Sequence, residues 1–301
     1  MKNTSLISGF LLSIFFFGAC SPSTNQETKD STRILIVVGP SKHPPGSHEV
    51  AAGGRLLEYC VGNMENVSNV EADVVYAWSE IPKSLDAYAT IVFIGDNFPG
   101  ERLPGSEQAM KDIAAMMDRG CGIVCLHYGV GLQNEDMGPD GDHPLLHWMG
   151  GYFAAKCDHH QSIAKIYEAA TIEAADPSHP VSRGWNTFTL NDEPYINNYF
   201  GPENNRMLPD VFAVATSMLP PDDPAREVIA WGIERPDTGR GIGIVLPHFY
   251  KNWTNEDLRT FILNSILWTA KQEVPASGVQ TTLPSLETFE PESVEFVPKK
   301  K

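Results

Sequence analysis

Short runs of aliphatic and β-branched residues, recurring between segments of helical spacing, constrain this chain more than any other feature. Arg33-Ile-Leu-Ile-Val-Val38 carries no polar residue after its first position, as expected of a strand buried on both faces of a parallel sheet. The pattern recurs at 73–78, 90–94 and 122–126, and further strands are expected at 162–167, 211–216, 228–233 and 241–246. Between them lie helical spacings. One covers 49–60. A second covers 106–119, with Ser106 as its cap and Met110, Ile113, Ala114 and Met117 on one face. A third runs from Thr254, read as its cap, to about Lys271. Strand and helix in alternation predict an α/β fold with a doubly wound, mostly parallel sheet. No internal repeat interrupts the pattern.

The chain has 301 residues, 42% hydrophobic and 20% charged, which excludes intrinsic disorder. Lys and Arg total 22 against 38 Asp and Glu, a net charge of −16 that argues against nucleic acid as a partner. The first residues read as an address. Lys2 precedes an apolar run at 6–17, and Phe17-Gly-Ala-Cys20 follows. The run is short for a membrane span and small residues precede Cys20, as in a bacterial lipoprotein signal. The expectation is therefore a signal peptide at 1–19, lipidation of Cys20 and a polar tether to residue 32. The chain would be an exported, membrane-anchored protein facing the periplasm, and the membrane would touch it only through lipid. One domain is expected at 33–272, and a Pro/Ser/Thr/Glu-rich extended tail at 273–301. Cys60, Cys121, Cys125 and Cys157 read as free core thiols.

Open parallel sheets bind ligands beyond the carboxyl ends of their strands. Four expected strands release polar residues there. The first leads to His43, His48 and Glu49, and the strand at 90–94 leads to Asp96 and Asn97. The strand at 122–126 leads to His127 and Tyr128, and the strand at 241–246 to His248 and Tyr250. Four of the nine histidines thus follow strands directly. Imidazoles from separate loops, joined by a carboxylate, form zinc or other divalent sites, so some subset of His43, His48, His127 and His248 is the candidate metal set. Asp192-Glu193-Pro-Tyr195 places a carboxylate and a phenol for acid–base work. His159 can reach the same cleft, and Trp253 can stack on a sugar face. His143 and His147, four residues apart, have zinc-pair spacing but no third ligand nearby.

Two chemistries fail on the residues. The loop after the first strand lacks the glycine pattern of dinucleotide sites and carries prolines where phosphate needs backbone N–H groups. A cysteine or serine hydrolase would need its nucleophile at a strand-to-helix elbow, and the elbow after 122–126 carries His127.

Six short motifs together carry a family resemblance. They are His43-Pro-Pro-Gly-Ser-His48-Glu49, Arg119-Gly-Cys-Gly-Ile-Val-Cys-Leu-His127-Tyr, Trp148-Met-Gly-Gly-Tyr-Phe, His179-Pro-Val-Ser-Arg-Gly, Asp192-Glu193-Pro-Tyr195, and Gly239-Arg-Gly-Ile-Gly followed by His248. In order and spacing the chain resembles the trehalose-utilisation, or ThuA-like, family over roughly 33–271. The resemblance implies a flavodoxin-like, class I glutamine amidotransferase-like fold without the amidotransferase cysteine. It also implies action on disaccharides through 3-keto-glycosides, with a divalent metal among histidines. Its carried-over positions are His43, His48, Glu49, His127, Glu193 and His248; Asp-Glu-Pro-Tyr departs from the usual Glu-Leu-Tyr or Glu-Tyr-Tyr. The resulting expectation is a metal-dependent carbohydrate enzyme with His127, Glu193 and Tyr195 catalytic. Substrate would be bound by Glu49, Asp96, Asn97, Tyr128, His159, Tyr250 and Trp253. The alternatives are a non-catalytic sugar-binding lipoprotein and a cysteine-dependent hydrolase.

Overall fold

The structure is a computed structural model that describes Met1 and residues 31–298. The leader, Cys20 and nearly all of the tether lie outside the described residues, as do the three final lysines. Among the described residues no helix is long and apolar enough to cross a membrane.

The elements are β1 (Thr32–Val38), α1 (Val50–Gly62), β2 (Val70–Val75), β3 (Tyr88–Ile94), α2 (Ser106–Asp118), β4 (Gly122–Leu126), β5 (Gly131–Gln133), α3 (Pro144–Met149), β6 (Phe153–Ala155), β7 (Tyr167–Ala174), β8 (Phe188–Asp192), β9 (Val211–Leu219), β10 (Ala225–Glu234), β11 (Arg240–Ile244) and α4 (Glu256–Thr269). Nine strands form one sheet in the order β2-β1-β3-β4-β11-β10-β9-β7-β8. From β2 to β11 the pairs are parallel, and from β11 to β8 they are antiparallel. The sheet is thus doubly wound α/β with an antiparallel extension.

Burial explains the division. Ile34 to Val38 in β1 and all of β4 are buried, as their unbroken apolar runs require. In β8 burial alternates residue by residue, because its outer face meets water. Gly122 of β4 lies against the Thr269 carbonyl of α4, whereas Gly241 of β11 lies against Trp148 of α3. Gly241 is in register with Ile123, the next residue of β4, so α3 and α4 cover opposite faces.

Several boundaries differ from the sequence expectation. The strand expected at 162–167 begins only at Tyr167; Ser162 instead exchanges hydrogen bonds with Ala154, and Ile163 makes a single bridge to Ile196. Ser106 is the first residue of α2, not its cap, since Gly105 takes the left-handed conformation there. Thr254 turns its hydroxyl to Lys251, and Asn255 caps α4 by accepting from the Leu258 amide. His143 caps α3 and bonds Glu101, while His147 bonds Asp142, so the two do not converge. The segment after 273 is extended and packed down, with Val274, Val279, Leu286 and Phe289 buried. The four described cysteines are buried free thiols.

The packing predicts opposite outcomes for two glycines. Gly241→Ala has no room against Trp148 and should cost about 1–3 kcal/mol. Gly62→Ala, in α1 with nothing near its missing Cβ, should gain about 0.5–1 kcal/mol. Urea midpoints at unchanged m-value read both.

Candidate metal centre

The neighbouring strands β1, β3, β4 and β11 end at the same edge, and their loops bring three imidazoles together. His48 Nε2 lies 3.0 Å from His248 Nδ1 and 2.8 Å from His127 Nε2. His127 Nε2 and His248 Nδ1 are 3.1 Å apart. All three rings are buried. His48, Asn97 and His127 have φ of 47°, 60° and 45°, a left-handed backbone that non-glycine residues adopt at some cost. His127 holds it at the elbow directly after β4, which turns its ring out of the strand and into the cluster.

Two of the rings have their outer nitrogen committed. His127 Nδ1 lies 2.8 Å from the Val245 carbonyl, which can only accept, so this nitrogen carries the hydrogen. His48 Nδ1 lies 2.7 Å from Asp96 Oδ1. Burial opposes the charge on Asp96, but hydrogen bonds from His43 and His48 prevail and hold its carboxyl well below the usual range. Desolvation in turn lowers His48 to about 4 and pushes His127 well below its ordinary value. Both rings are therefore neutral, with unprotonated Nε2 atoms facing each other.

A carboxylate and a phenol close the group. Glu193 Oε2 is 3.2 Å from His248 Nδ1 and 4.0 Å from His127 Nε2. The Tyr195 hydroxyl is 3.0 Å from His127 Nε2, and its ring stacks on His127. Burial raises the Tyr195 phenol well above its ordinary value, so it remains a hydrogen-bond donor. These two residues arrive from β8, at the far edge of the sheet. The buried Asp192 draws them in: its Oδ1 accepts from the His248 and Glu193 amides, and its Oδ2 from the Asn252 side chain. In the sequence Asp192 is marked only as the acidic residue beside Glu193, which does not announce this role.

The donor set fits a divalent ion. Tetrahedral zinc with Zn–N near 2.0–2.1 Å places its nitrogens roughly 3.3 Å apart, a few tenths of an ångström beyond the 2.8–3.1 Å seen here. A neutral ring with its outer nitrogen engaged, as in His48 and His127, is the form in which histidine ligates. His48, His127 and His248 would hold the ion, with Glu193 beside it.

Other residues of the reading fall elsewhere. His43 does not join the three: its ring stacks on His48 with centroids 3.5 Å apart, and its Nδ1 bonds Asp96 Oδ2 at 2.9 Å. Asp96 itself is engaged in holding these two rings. Tyr128 does face an open cleft, together with His43, Phe153, Lys156, Gln161, Glu193 and Tyr195. Asn97 is buried, and its side-chain oxygen has no partner among the described residues. Tyr250 and Trp253 are buried beneath the histidines. His159 bonds the Tyr152 hydroxyl at 2.8 Å, away from the cluster. Glu49 accepts from three backbone amides. Cys125 lies fully buried inside β4 with its thiol pushed up by burial, a setting unlike that of a reactive cysteine.

The sequence matches the trehalose utilisation (ThuA) family over residues 33–269. The chain belongs to that family. Two solved ThuA-like proteins are similar in fold. One, a putative ThuA-like protein from Bacteroides uniformis, is 15% identical, with 81% of this chain and 94% of that chain covered and a TM-score of 0.57. The other, from Parabacteroides merdae, is 14% identical, with 84% and 98% covered and a TM-score of 0.55. A glutamine amidotransferase from Thermotoga maritima is a more distant match, 10% identical over 80% of this chain and 96% of its own, at a TM-score of 0.41. Among curated proteins none matches the sequence.

The neutral rings give this ThuA-family chain a pH signature. With His48 held at about 4 against an ordinary 6.5, the unfolded chain takes up a proton over that interval which the folded chain refuses. Stability in chelator should be full above 6.5 and should decline as pH falls toward 4. His48→Gln should remove its share of the slope. Thermal unfolding from about pH 7 to about pH 4.5 measures it.

Proposed function

We propose that this chain is a metal-dependent enzyme acting on oxidised carbohydrate, with 3-keto-glycosides or disaccharides as the substrate class. The observation that carries the reading is the convergence of three imidazoles on one point at the cleft, beside a carboxylate and a phenol. A divalent ion held by His48, His127 and His248 would supply Lewis acidity toward a substrate oxygen. The remaining chemistry falls to the chain's own groups.

A carbonyl at C3 acidifies the C2 proton of a glycoside. Glu193 stands at the cleft side of the histidines, where its carboxylate takes that proton. The C2–H electron pair becomes a C1–C2 double bond as the C1–O bond breaks, and the leaving oxygen acquires a proton from solvent. Water addition to the unsaturated ketone completes a formal hydrolysis. Tyr195 donates a hydrogen bond to the reacting oxygen, while Tyr128 and Phe153 form an apolar wall against the sugar. The family membership and the resemblance to proteins of disaccharide use support the substrate class. The sequence around Cys20 further supports export as a lipid-anchored protein facing the periplasm.

Glu193→Gln should retain metal and lower turnover of 3-keto-disaccharides by about 10²–10⁴. His127→Ala should lose both metal and turnover. Metal analysis of untagged protein, with sugar release followed in the same samples, reads these outcomes. A folded His127→Ala chain with full turnover would contradict the proposal, and tight sugar binding without metal or turnover would favour a binding protein.

A further inference from the structure

The loop that carries His43 and His48 is clasped on two sides. Toward the sheet, the His48 amide donates to the His248 carbonyl at 3.0 Å and the Tyr250 amide to the Gly46 carbonyl at 3.0 Å. On its outer side lies the stretch 291–298. The Glu292 and Ser293 amides donate to the Glu49 carboxylate at 2.9 and 3.1 Å, and the Gly46 amide donates to it at 2.8 Å. The Val297 amide reaches the Pro45 carbonyl at 2.8 Å. Phe296 packs on Phe249, and Lys251 pairs with Glu295 at 3.0 Å. Gly46, at φ 82°, lies so close to the Glu295 carbonyl that no Cβ fits between them.

The position of Glu49 is informative. It stands at the start of α1, where a carboxylate commonly caps the first turn, yet its side chain makes no cap bond to the helix. Its oxygens instead tie the preceding loop to a segment more than 240 residues later in sequence. Removing that segment would leave the carboxylate with only the Gly46 amide, and the loop held only from the sheet side, by the 248–250 backbone and Asp96.

We infer that residues 291–298 form a strap that, through the positioning residue Glu49, fixes the His43–His48 loop and thereby sets the affinity of the histidine cluster for metal. The affinity arm of this inference rests on the metal reading above; the loop-ordering arm does not. Glu49 touches no reacting atom and acts only by holding the loop that presents His48.

The test compares the full chain with a chain ending at Glu290, with Glu49→Ala and with Ser293→Pro, which removes one of the three donors. Hydrogen exchange in chelator follows the amides of residues 46–50, with those of β1 and β4 as internal reference. Cobalt(II) affinity, by chelator competition and visible absorption, follows the site. The strap predicts faster exchange in the loop alone, and cobalt binding weaker by about ten- to a hundredfold with an altered absorption band. Glu49→Gln, which keeps an acceptor oxygen, should restore part of both. If the shortened chain does not fold, the two point variants decide. Unchanged loop exchange and cobalt affinity in the variants would overturn the inference. A full-length chain that binds no cobalt would contradict the metal reading, and loop exchange would still decide the strap.

Discussion

Two fixed protons determine what the centre of this molecule can do. The Val245 carbonyl holds one on the outer nitrogen of His127, and the Asp96 carboxylate holds the other on His48. The inner nitrogens that remain carry no hydrogen and lie 2.8 Å apart, and the Tyr195 hydroxyl reaches only that of His127. Two unshared lone pairs at that distance repel unless a proton or a cation lies between them. The His248 Nδ1 hydrogen, where present, can serve one of them well and both only poorly, because Glu193 competes for it. A divalent ion satisfies all three nitrogens at once. The strained backbone at His48 and His127 acquires a purpose on this account, since it orients these nitrogens.

The sheet is arranged around that requirement. β1, β3, β4 and β11 lie side by side and parallel, so their loops open on one edge. The antiparallel extension then carries Glu193 and Tyr195 back to the same place from the other end of the sheet, and the buried Asp192 fastens that return to the His248 amide. Burial raises the Asp192 carboxyl to about 6 even though it accepts these bonds. The elbow directly after β4 presents an imidazole, that of His127. The nearest thiol, Cys125, faces the core.

Much of this was legible in the sequence because parallel strands buried on both faces have an unmistakable composition. The runs ending before His43, Asp96, His127 and His248 marked the sheet edge, and the edge marked the site. What could not be read depended on side-chain direction or long-range docking. His43 and His48 share one loop, but the backbone turn at His48 sends only that ring inward. Asp96 looked like a cleft residue and is instead occupied by two histidines. β8, with its alternating polar face, gave too weak a signal to place Tyr195 against His127. Glu49 and the stretch 291–298 are joined by main-chain amides, which leave no trace in residue type.

The central claim is that the imidazoles of His48, His127 and His248 together ligate a divalent ion. X-ray absorption on the zinc- or cobalt-loaded chain tests it most directly. The account predicts a shell of nitrogen and oxygen scatterers near 2.0–2.1 Å, with the outer-shell pattern of about three imidazoles, and loss of one imidazole in His48→Ala. A shell of oxygen alone, or a spectrum unaltered by that substitution, would contradict it.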